Sequence, residues 1–335
     1  MRAAFVRSLV EAAERDERVV LLTGDLGFMA LEPFRDRFPD RFFNVGVAEQ
    51  NMVGIATGLA EAGFTPFCYS IAPFAVLRPY EFIRNGPVAH NLPVRIAGVG
   101  GGLEYAKNGP SHYGTEDVGA MRLLPGMAVV APADPAQTAT AMTALAGWPG
   151  PAYLRLGKND KEFVPGLEGR FELGRAQLVR EGGDLVIFAM GAIASSVVRA
   201  AAQLDADGTR ATVAVVASVS PAPIADITRL VSCHSRAVTV EAHVPTGGLG
   251  SLVAEVVAGT GARCRLMRLG VEHPYDGRGG SEQFLSELHG LSPTAIAARA
   301  RAFVWEEQYG RREKPTLRPA RARARPAART APHTA

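Results

Sequence analysis

Short apolar runs alternate along the chain with longer stretches in which apolar residues recur at helical spacing. Each run is followed by a Gly or Pro turn and then by a helical stretch, as is typical of a strand in an alternating α/β fold. The runs cover residues 19–25, 65–70, 93–100, 127–132, 151–157, 184–191, 212–220, 237–243 and 263–270. Strands that are continuously apolar are buried on both faces, so the pattern predicts parallel sheets covered by helices.

The Pro and Gly residues of segment 163–174 interrupt this alternation and predict a domain boundary near residues 160–175. We therefore expect an α/β protein of two consecutive domains, residues 1–165 and 175–304, each built on a mainly parallel sheet flanked by helices. The first 20 residues place acids among apolar residues at helical spacing, which favours an amphipathic helix over a secretion signal.

The distribution of charge separates the end of the chain from its body. Segment 308–335 contains eight Lys and Arg against one Glu, a net charge of +7, whereas the whole chain carries +3 and its body therefore −4. The segment has one Leu and repeated Pro and Ala, so it predicts a disordered basic tail, solvated or in weak contact with polyanions. The small overall charge does not indicate nucleic acid or an anionic membrane as a partner.

Cysteine content and apolar run length bear on the compartment. Three widely spaced cysteines without a CxxC pair signal neither a disulfide framework nor a zinc site. The apolar runs fall short of the roughly 18 to 20 residues that cross a bilayer. We expect a soluble cytoplasmic protein that does not contact a membrane.

The chemistry of the chain concentrates in segment 42–64, where a strand-like FFNVGV runs into a largely apolar helix. Glu49 falls in the first turn, and the residues three, four and seven positions after it are apolar. It is either a helix-start acid that interacts with free amides, or a carboxyl held in a dry site to hydrogen-bond a basic ring nitrogen. Gly54 and Gly58 lower helix propensity, which suggests that another backbone packs closely against the helix.

The stretch NVGVAEQNMVGIATGLA at 44–60 resembles the pyrimidine-binding segment of transketolases. Further stretches similar to that family lie in the same order at 23–28, 73–85, 108–127, 131–135 and 238–251. The resemblance covers roughly residues 2–304 and implies thiamine diphosphate as cofactor. It implies that Glu49 shares a proton with the pyrimidine ring nitrogen and favours the imino tautomer, which takes the proton from the thiazolium carbon.

The resemblance also implies roles for other residues. Phe74 would stack on the aminopyrimidine, with ordinary core packing as the alternative. Asp25 and Leu26 would border the cofactor, although Asp25 also suits a cap or turn. His112 would be a catalytic and substrate-binding residue that reaches the sugar, rather than a solvated loop histidine.

Two departures from the family pattern affect the expected substrate contacts. Asn108 stands where transketolases carry Asp, and Lys158 stands where they carry a phosphate-contacting Arg. Both are expected to bind substrate, but Lys lacks the bidentate fork of Arg. A sugar-contacting Ser and His of the family fall on Met29 and Gly100, which leaves the usual sugar phosphate specificity open.

Half of the family's cofactor site is missing, because the chain lacks the GDG motif that holds Mg²⁺ and the diphosphate. We therefore expect no metal ligands in this chain and a partner subunit with a diphosphate-binding domain, assembled with it as an α₂β₂ heterotetramer. The resemblance implies transfer of a two-carbon ketol unit from a ketose to an aldehyde. The alternatives are the β subunit of a 2-oxoacid dehydrogenase, a deoxyxylulose phosphate synthase-like enzyme, and a non-catalytic scaffold or regulatory subunit. The second domain is assigned to assembly, with a structural or interfacial role for His243.

Overall fold

Two sheets, one of seven strands and one of five, organise the chain in a computed structural model that describes residues 1–309. The strands are β1 (Val19–Thr23), β2 (Phe42–Asn44), β3 (Thr65–Ile71), β4 (Arg95–Val99), β5 (Ala128–Val130), β6 (Ala152–Leu156), β7 (Gln177–Arg180), β8 (Leu185–Met190), β9 (Ala211–Val215), β10 (Ser218–Ser220), β11 (Arg236–Glu241) and β12 (Arg265–Leu269). The helices are α1 (Arg2–Arg15), α2 (Glu32–Arg37), α3 (Glu49–Glu61), α4 (Ala72–Val76), α5 (Tyr80–Ile83), α6 (Asp117–Arg122), α7 (Pro135–Ala146), α8 (Ala194–Ala206), α9 (Ile224–Cys233), α10 (Leu249–Thr260), α11 (Glu282–Leu288) and α12 (Pro293–Tyr309). The tail predicted at 308–335 lies outside the described residues, apart from the two positions that end α12.

Parallel pairing dominates both sheets, so the predicted fold class is confirmed. The first sheet has the order β10-β5-β6-β4-β3-β1-β2 and the second the order β12-β11-β8-β9-β7. The antiparallel pairs are β10 with β5 and β7 with β9. Strands β1, β4, β6 and β9 are buried along their whole length, as their continuous apolar runs predict.

The sequence pattern missed two features of the sheets. The run at 212–220 was expected to be one strand, but it divides between β9 in the second sheet and β10, which crosses to the edge of the first. The division is invisible in the pattern because no Gly, Pro or charged residue separates the two pieces. The short antiparallel strand β7 was not predicted, since its sequence QLVR carries only two apolar residues.

Buried polar contacts join the two halves of the chain. In β6, the Arg155 guanidinium donates to Asp117 (3.0 Å), and it also donates to the carbonyl oxygen of Ala242 just beyond β11 (2.8 Å). His243 is buried and accepts the amide hydrogen of Gly119 at 3.1 Å. Burial lowers the pKa of His243 and keeps the ring neutral. The structural and interfacial role expected for His243 matches these contacts.

Within residues 1–309, every helix is too short or too polar to cross a bilayer.

Candidate active site

The candidate site lies at the edge of the first sheet where β1 and β3 end. The two strands are parallel neighbours, so their carboxyl ends meet there. Gly24 follows β1, Ser70 lies near the end of β3, and Glu49 opens α3 beside them. A β-carbon at position 24 would lie 3.5 Å from Glu49 Oε1, in ordinary contact with the carboxylate.

Both oxygens of the buried Glu49 carboxylate have side-chain partners. Oε1 accepts a hydrogen bond from Ser70 Oγ at 3.1 Å, and Oε2 accepts one from Arg78 Nη1 at 2.9 Å. Only 1% of the Glu49 side chain is exposed. Because these partners come from β3 and from residue 78, the carboxylate points into the site rather than onto the free amides of its own helix.

An aromatic ring forms the adjacent wall. Phe74 lies in α4, directly after β3, and the Arg78 guanidinium carbon lies 3.9 Å from the centre of its ring. On another side of Phe74, the His112 ring approaches edge-on with 4.9 Å between centroids. Nδ1 of His112 lies 3.0 Å from Ser111 Oγ. The structure thus brings Glu49, Phe74 and His112 into one cluster, joined through Arg78 and the Phe74 ring.

The two other predicted substrate residues are Lys158 and Asn108. Lys158 Nζ lies 4.1 Å from the centre of the Tyr105 ring, and the centroid of that ring is 6.3 Å from that of His112. The same ammonium donates to the Glu104 carbonyl oxygen at 3.1 Å. Lys158 therefore packs against the Tyr105 ring and lines a cleft of about 640 Å³ between the two halves of the chain. Asn108 is exposed at the end of a 3₁₀ turn.

Asp25 and Leu26, which were predicted to border the cofactor, lie in the turn that follows β1. Asp25 adopts a positive φ of 56° and exchanges two hydrogen bonds with Asn44 of β2, at 3.0 and 2.9 Å. The carbonyl oxygen of Leu26 accepts a hydrogen bond from Thr23 Oγ1 at 3.0 Å. Asp25 thus has the turn role that was its alternative interpretation, in a turn that directly follows Gly24, the residue in contact with Glu49.

Sequence reasoning missed Arg78. Two features of the sequence could have found it: a buried carboxylate needs a counter-charge, and a cation four positions after an aromatic residue on a helix lies over the ring. The helix ends at Val76, but the chain continues far enough in helical geometry to keep this spacing.

The Glu49 carboxylate and the Phe74 face suit a flat, nitrogen-rich ring. The group between them now is a guanidinium, which is planar and presents N–H donors in its plane. An aminopyrimidine is equally flat, and its basic ring nitrogen could share a proton with the carboxyl group, so the residues present fit the cofactor that the resemblance implies.

The chain is similar to known proteins along most of its length. Residues 1–162 match the family described as "Transketolase, pyrimidine binding domain", and residues 174–296 match "Transketolase, C-terminal domain". A protein of Methanocaldococcus jannaschii described as "Putative transketolase C-terminal section" is 36% identical over 89% of this chain and 94% of its own length. The 6-deoxy-6-sulfo-D-fructose transketolase subunit SqwH of a Clostridium species is 35% identical over 90% of this chain and 93% of its own length. A solved structure described as a split gene transketolase, an inactive β₄ tetramer, superimposes with a TM-score of 0.83 at 35% identity and covers 90% of this chain and 97% of that one.

Proposed function

The chain belongs to the transketolase family, and from this premise we propose that it is the C-terminal, β-type subunit of a split thiamine diphosphate-dependent transketolase-like enzyme. The enzyme transfers a two-carbon ketol unit from a ketose to an aldehyde acceptor. The observation that carries the proposal is the buried Glu49 carboxylate beside the Phe74 ring face, since a carboxyl and an aromatic face so placed suit a flat ring with a basic nitrogen. The named relatives are transketolase sections and subunits, which favours this activity over a 2-oxoacid dehydrogenase, a deoxyxylulose phosphate synthase or a scaffold.

The residues of this chain divide the work at the pyrimidine end of the cofactor. Phe74 would hold the ring face, and residues 24–26, with Asp25 and Leu26, would border it. Glu49 would hold a proton between its carboxylate and the ring nitrogen, and Ser70 orients that carboxylate through its hydroxyl. When bound, thiamine diphosphate supplies the nucleophilic carbon that carries the two-carbon unit.

The substrate side of the proposal rests on His112, which lies against Phe74 and presents an imidazole edge suited to a hydroxyl or phosphate oxygen. Asn108 is exposed nearby in sequence and would contact the substrate. Lys158 would contribute positive charge near the substrate while packing against Tyr105, whose ring lies 6.3 Å from that of His112. We propose a small sugar or related aldehyde as substrate.

The partner we propose is a subunit with the diphosphate-binding domain, which would ligate Mg²⁺ and complete an α₂β₂ heterotetramer in the cytoplasm. The outer face of α3 supports such a contact. Ile55 is 38% exposed there, a β-carbon at Gly58 would meet nothing within 4 Å, and one at Gly54 would meet only Phe82 at 3.9 Å. The close backbone packing predicted at these glycines does not come from residues 1–309, so we assign it to the partner. We also propose the domain limits 1–165 and 175–304, which leave the strand-free stretch between β6 and β7 as the link.

The test is Glu49→Gln in the complex reconstituted with the diphosphate-binding subunit. Activity is followed as cofactor-dependent two-carbon transfer from a panel of ketoses, phosphorylated and free, to glycolaldehyde. Loss of proton handling should lower turnover by about 10² to 10⁴-fold, while the melting temperature of the isolated chain stays near that of wild type. Glu61→Gln, at the exposed far end of the same helix, is the matched control and should leave turnover unchanged. Near-normal turnover of Glu49→Gln would contradict the assignment.

A further inference from the structure

The pyrimidine site is closed by the chain's own Arg78. Its guanidinium lies 3.9 Å from the centre of the Phe74 ring, and Nη1 donates to Glu49 Oε2 at 2.9 Å. These are the two contacts that the proposed function assigns to the aminopyrimidine. The inference therefore rests on that proposal and adds a competitor for the same site.

The two partners of this ion pair differ in their freedom to move. The Glu49 side chain is 1% exposed, whereas 44% of the Arg78 side chain is exposed. Ser70 engages the other carboxylate oxygen from the protein interior, so Oε2 faces the opening. The arginine is therefore the partner that can leave, and the carboxylate is the one that stays.

The position of Arg78 in the chain allows its side chain to leave the site without unfolding the neighbouring helices. It lies in the short connection between α4, which ends at Val76, and α5, which begins at Tyr80. Withdrawal of its side chain needs rotation about side-chain bonds toward solvent and does not require either helix to unwind. The cost of leaving is the loss of a cation from a buried carboxylate and from an aromatic face.

We propose that Arg78 is an internal stand-in for the aminopyrimidine: it neutralises Glu49 and covers Phe74 in the cofactor-free chain, and it must swing out before the cofactor binds. A guanidinium and a pyrimidine ring cannot both lie on the same ring face and the same carboxylate oxygen. The apparent affinity for the cofactor is then the intrinsic affinity multiplied by the fraction of molecules in which Arg78 has swung out. The same contact protects the folded chain while the site lacks cofactor.

The experiment compares Arg78→Met, which keeps the apolar stem, with Arg78→Lys, which keeps the charge but lacks the planar fork. The affinity for thiamine diphosphate with Mg²⁺ is measured by calorimetry on the reconstituted complex, and the melting temperature is measured on the isolated chain. Arg78→Met should bind the cofactor at least fivefold more tightly and melt several degrees lower, with Arg78→Lys between it and wild type. Arg84→Met is the matched control, because Arg84 is exposed on the same stretch and donates to Asn85 instead.

A double variant keeps the proposal testable if Arg78→Met folds poorly. In Arg78→Met/Glu49→Gln the buried carboxylate is replaced by a neutral amide that needs no counter-charge, so the melting temperature should return toward that of wild type. Weaker cofactor binding by Arg78→Met would overturn the proposal, since it would mean that Arg78 holds the bound cofactor. Unchanged affinity would overturn it as well and leave Arg78 a purely structural role. Failure of the wild-type complex to bind thiamine diphosphate would instead refute the proposed function.

Discussion

Arg155→Met tests whether the buried polar contacts between the two sheets stabilise the subunit. Arg155 and Asp117 are 4% and 0% exposed, and their side chains meet at 3.0 Å. Arg155 also donates to the carbonyl oxygens of Gly114 (2.5 Å) and Ala242 (2.8 Å), and Ala242 belongs to the second half of the chain. The substitution leaves a buried carboxylate whose remaining side-chain donor is the Tyr153 hydroxyl at 2.6 Å.

We expect Arg155→Met to lower the free energy of unfolding by about 3 to 5 kcal/mol, the usual cost of leaving one charge of a buried pair without its partner. Urea denaturation followed by circular dichroism measures this loss and should show an unchanged dependence on urea. Asp117→Asn added to Arg155→Met removes the orphaned charge, so the double variant should be more stable than the sum of the single effects by roughly 1 to 3 kcal/mol. A loss below about 1 kcal/mol for Arg155→Met, or strict additivity in the double variant, would refute the reasoning.

Three further predictions concern the pH dependence of stability, the partner contact and a helix cap. Burial, reinforced by the Glu282 carboxylate, raises the pKa of Glu104 to about 8. Above the ordinary pKa of 4.5, the Glu104 carboxyl group loses its proton in the unfolded chain but keeps it in the folded chain, so the stability of the wild-type chain falls between pH 5 and 8. The free energy of unfolding of Glu104→Gln should therefore rise relative to that of wild type by up to about 1.4 kcal/mol per pH unit. Melting curves with a constant difference across pH would contradict this. Gly58→Leu should leave the isolated chain as stable or slightly more stable, because the helix gains propensity and the space is open, yet block association with the diphosphate-binding subunit in sedimentation runs; normal assembly would place the contact elsewhere. Asp134→Ala should cost about 1 to 2 kcal/mol in urea denaturation, because Asp134 accepts the amide hydrogens of Gln137 at the start of α7 and of Val164, and a cost near zero would show that the cap is dispensable.

Two strands of the first sheet show where local pattern is enough to predict a strand. β1 and β4 are buried throughout and bounded by turns, so local pattern and tertiary position agree. β10 could not be predicted as part of the first sheet, because its choice of sheet depends on the free edge of β5, which only the assembled fold defines. Local pattern sets whether a segment is a strand, and topology sets which sheet receives it.

The candidate site shows the same division between local and tertiary information. Glu49 was predicted because an acid at the start of an apolar helix is conspicuous, and the motif around it gave the acid a role. The contact of Arg78 with Glu49 joins residues 29 positions apart, through a turn between α4 and α5 that no local pattern specifies. Likewise, Lys158 was placed among the substrate contacts by resemblance, whereas its packing against the Tyr105 ring is a tertiary contact that no local pattern specifies.

A split cofactor site sets a problem that a single-chain enzyme meets less sharply. In the assembly that we propose, the subunit must fold and persist with a carboxylate buried for a ligand whose other end is held by a different polypeptide. An uncompensated charge at Glu49 would be costly in the separate subunit, and a permanent counter-charge would exclude the cofactor. A cation on an exposed, rotatable stem resolves the conflict, because it satisfies the carboxylate when the site is otherwise unfilled and leaves when a better-matched ring arrives. Subunit stability and cofactor affinity should therefore vary in opposite directions when Arg78 is changed, which a purely structural arginine would not produce.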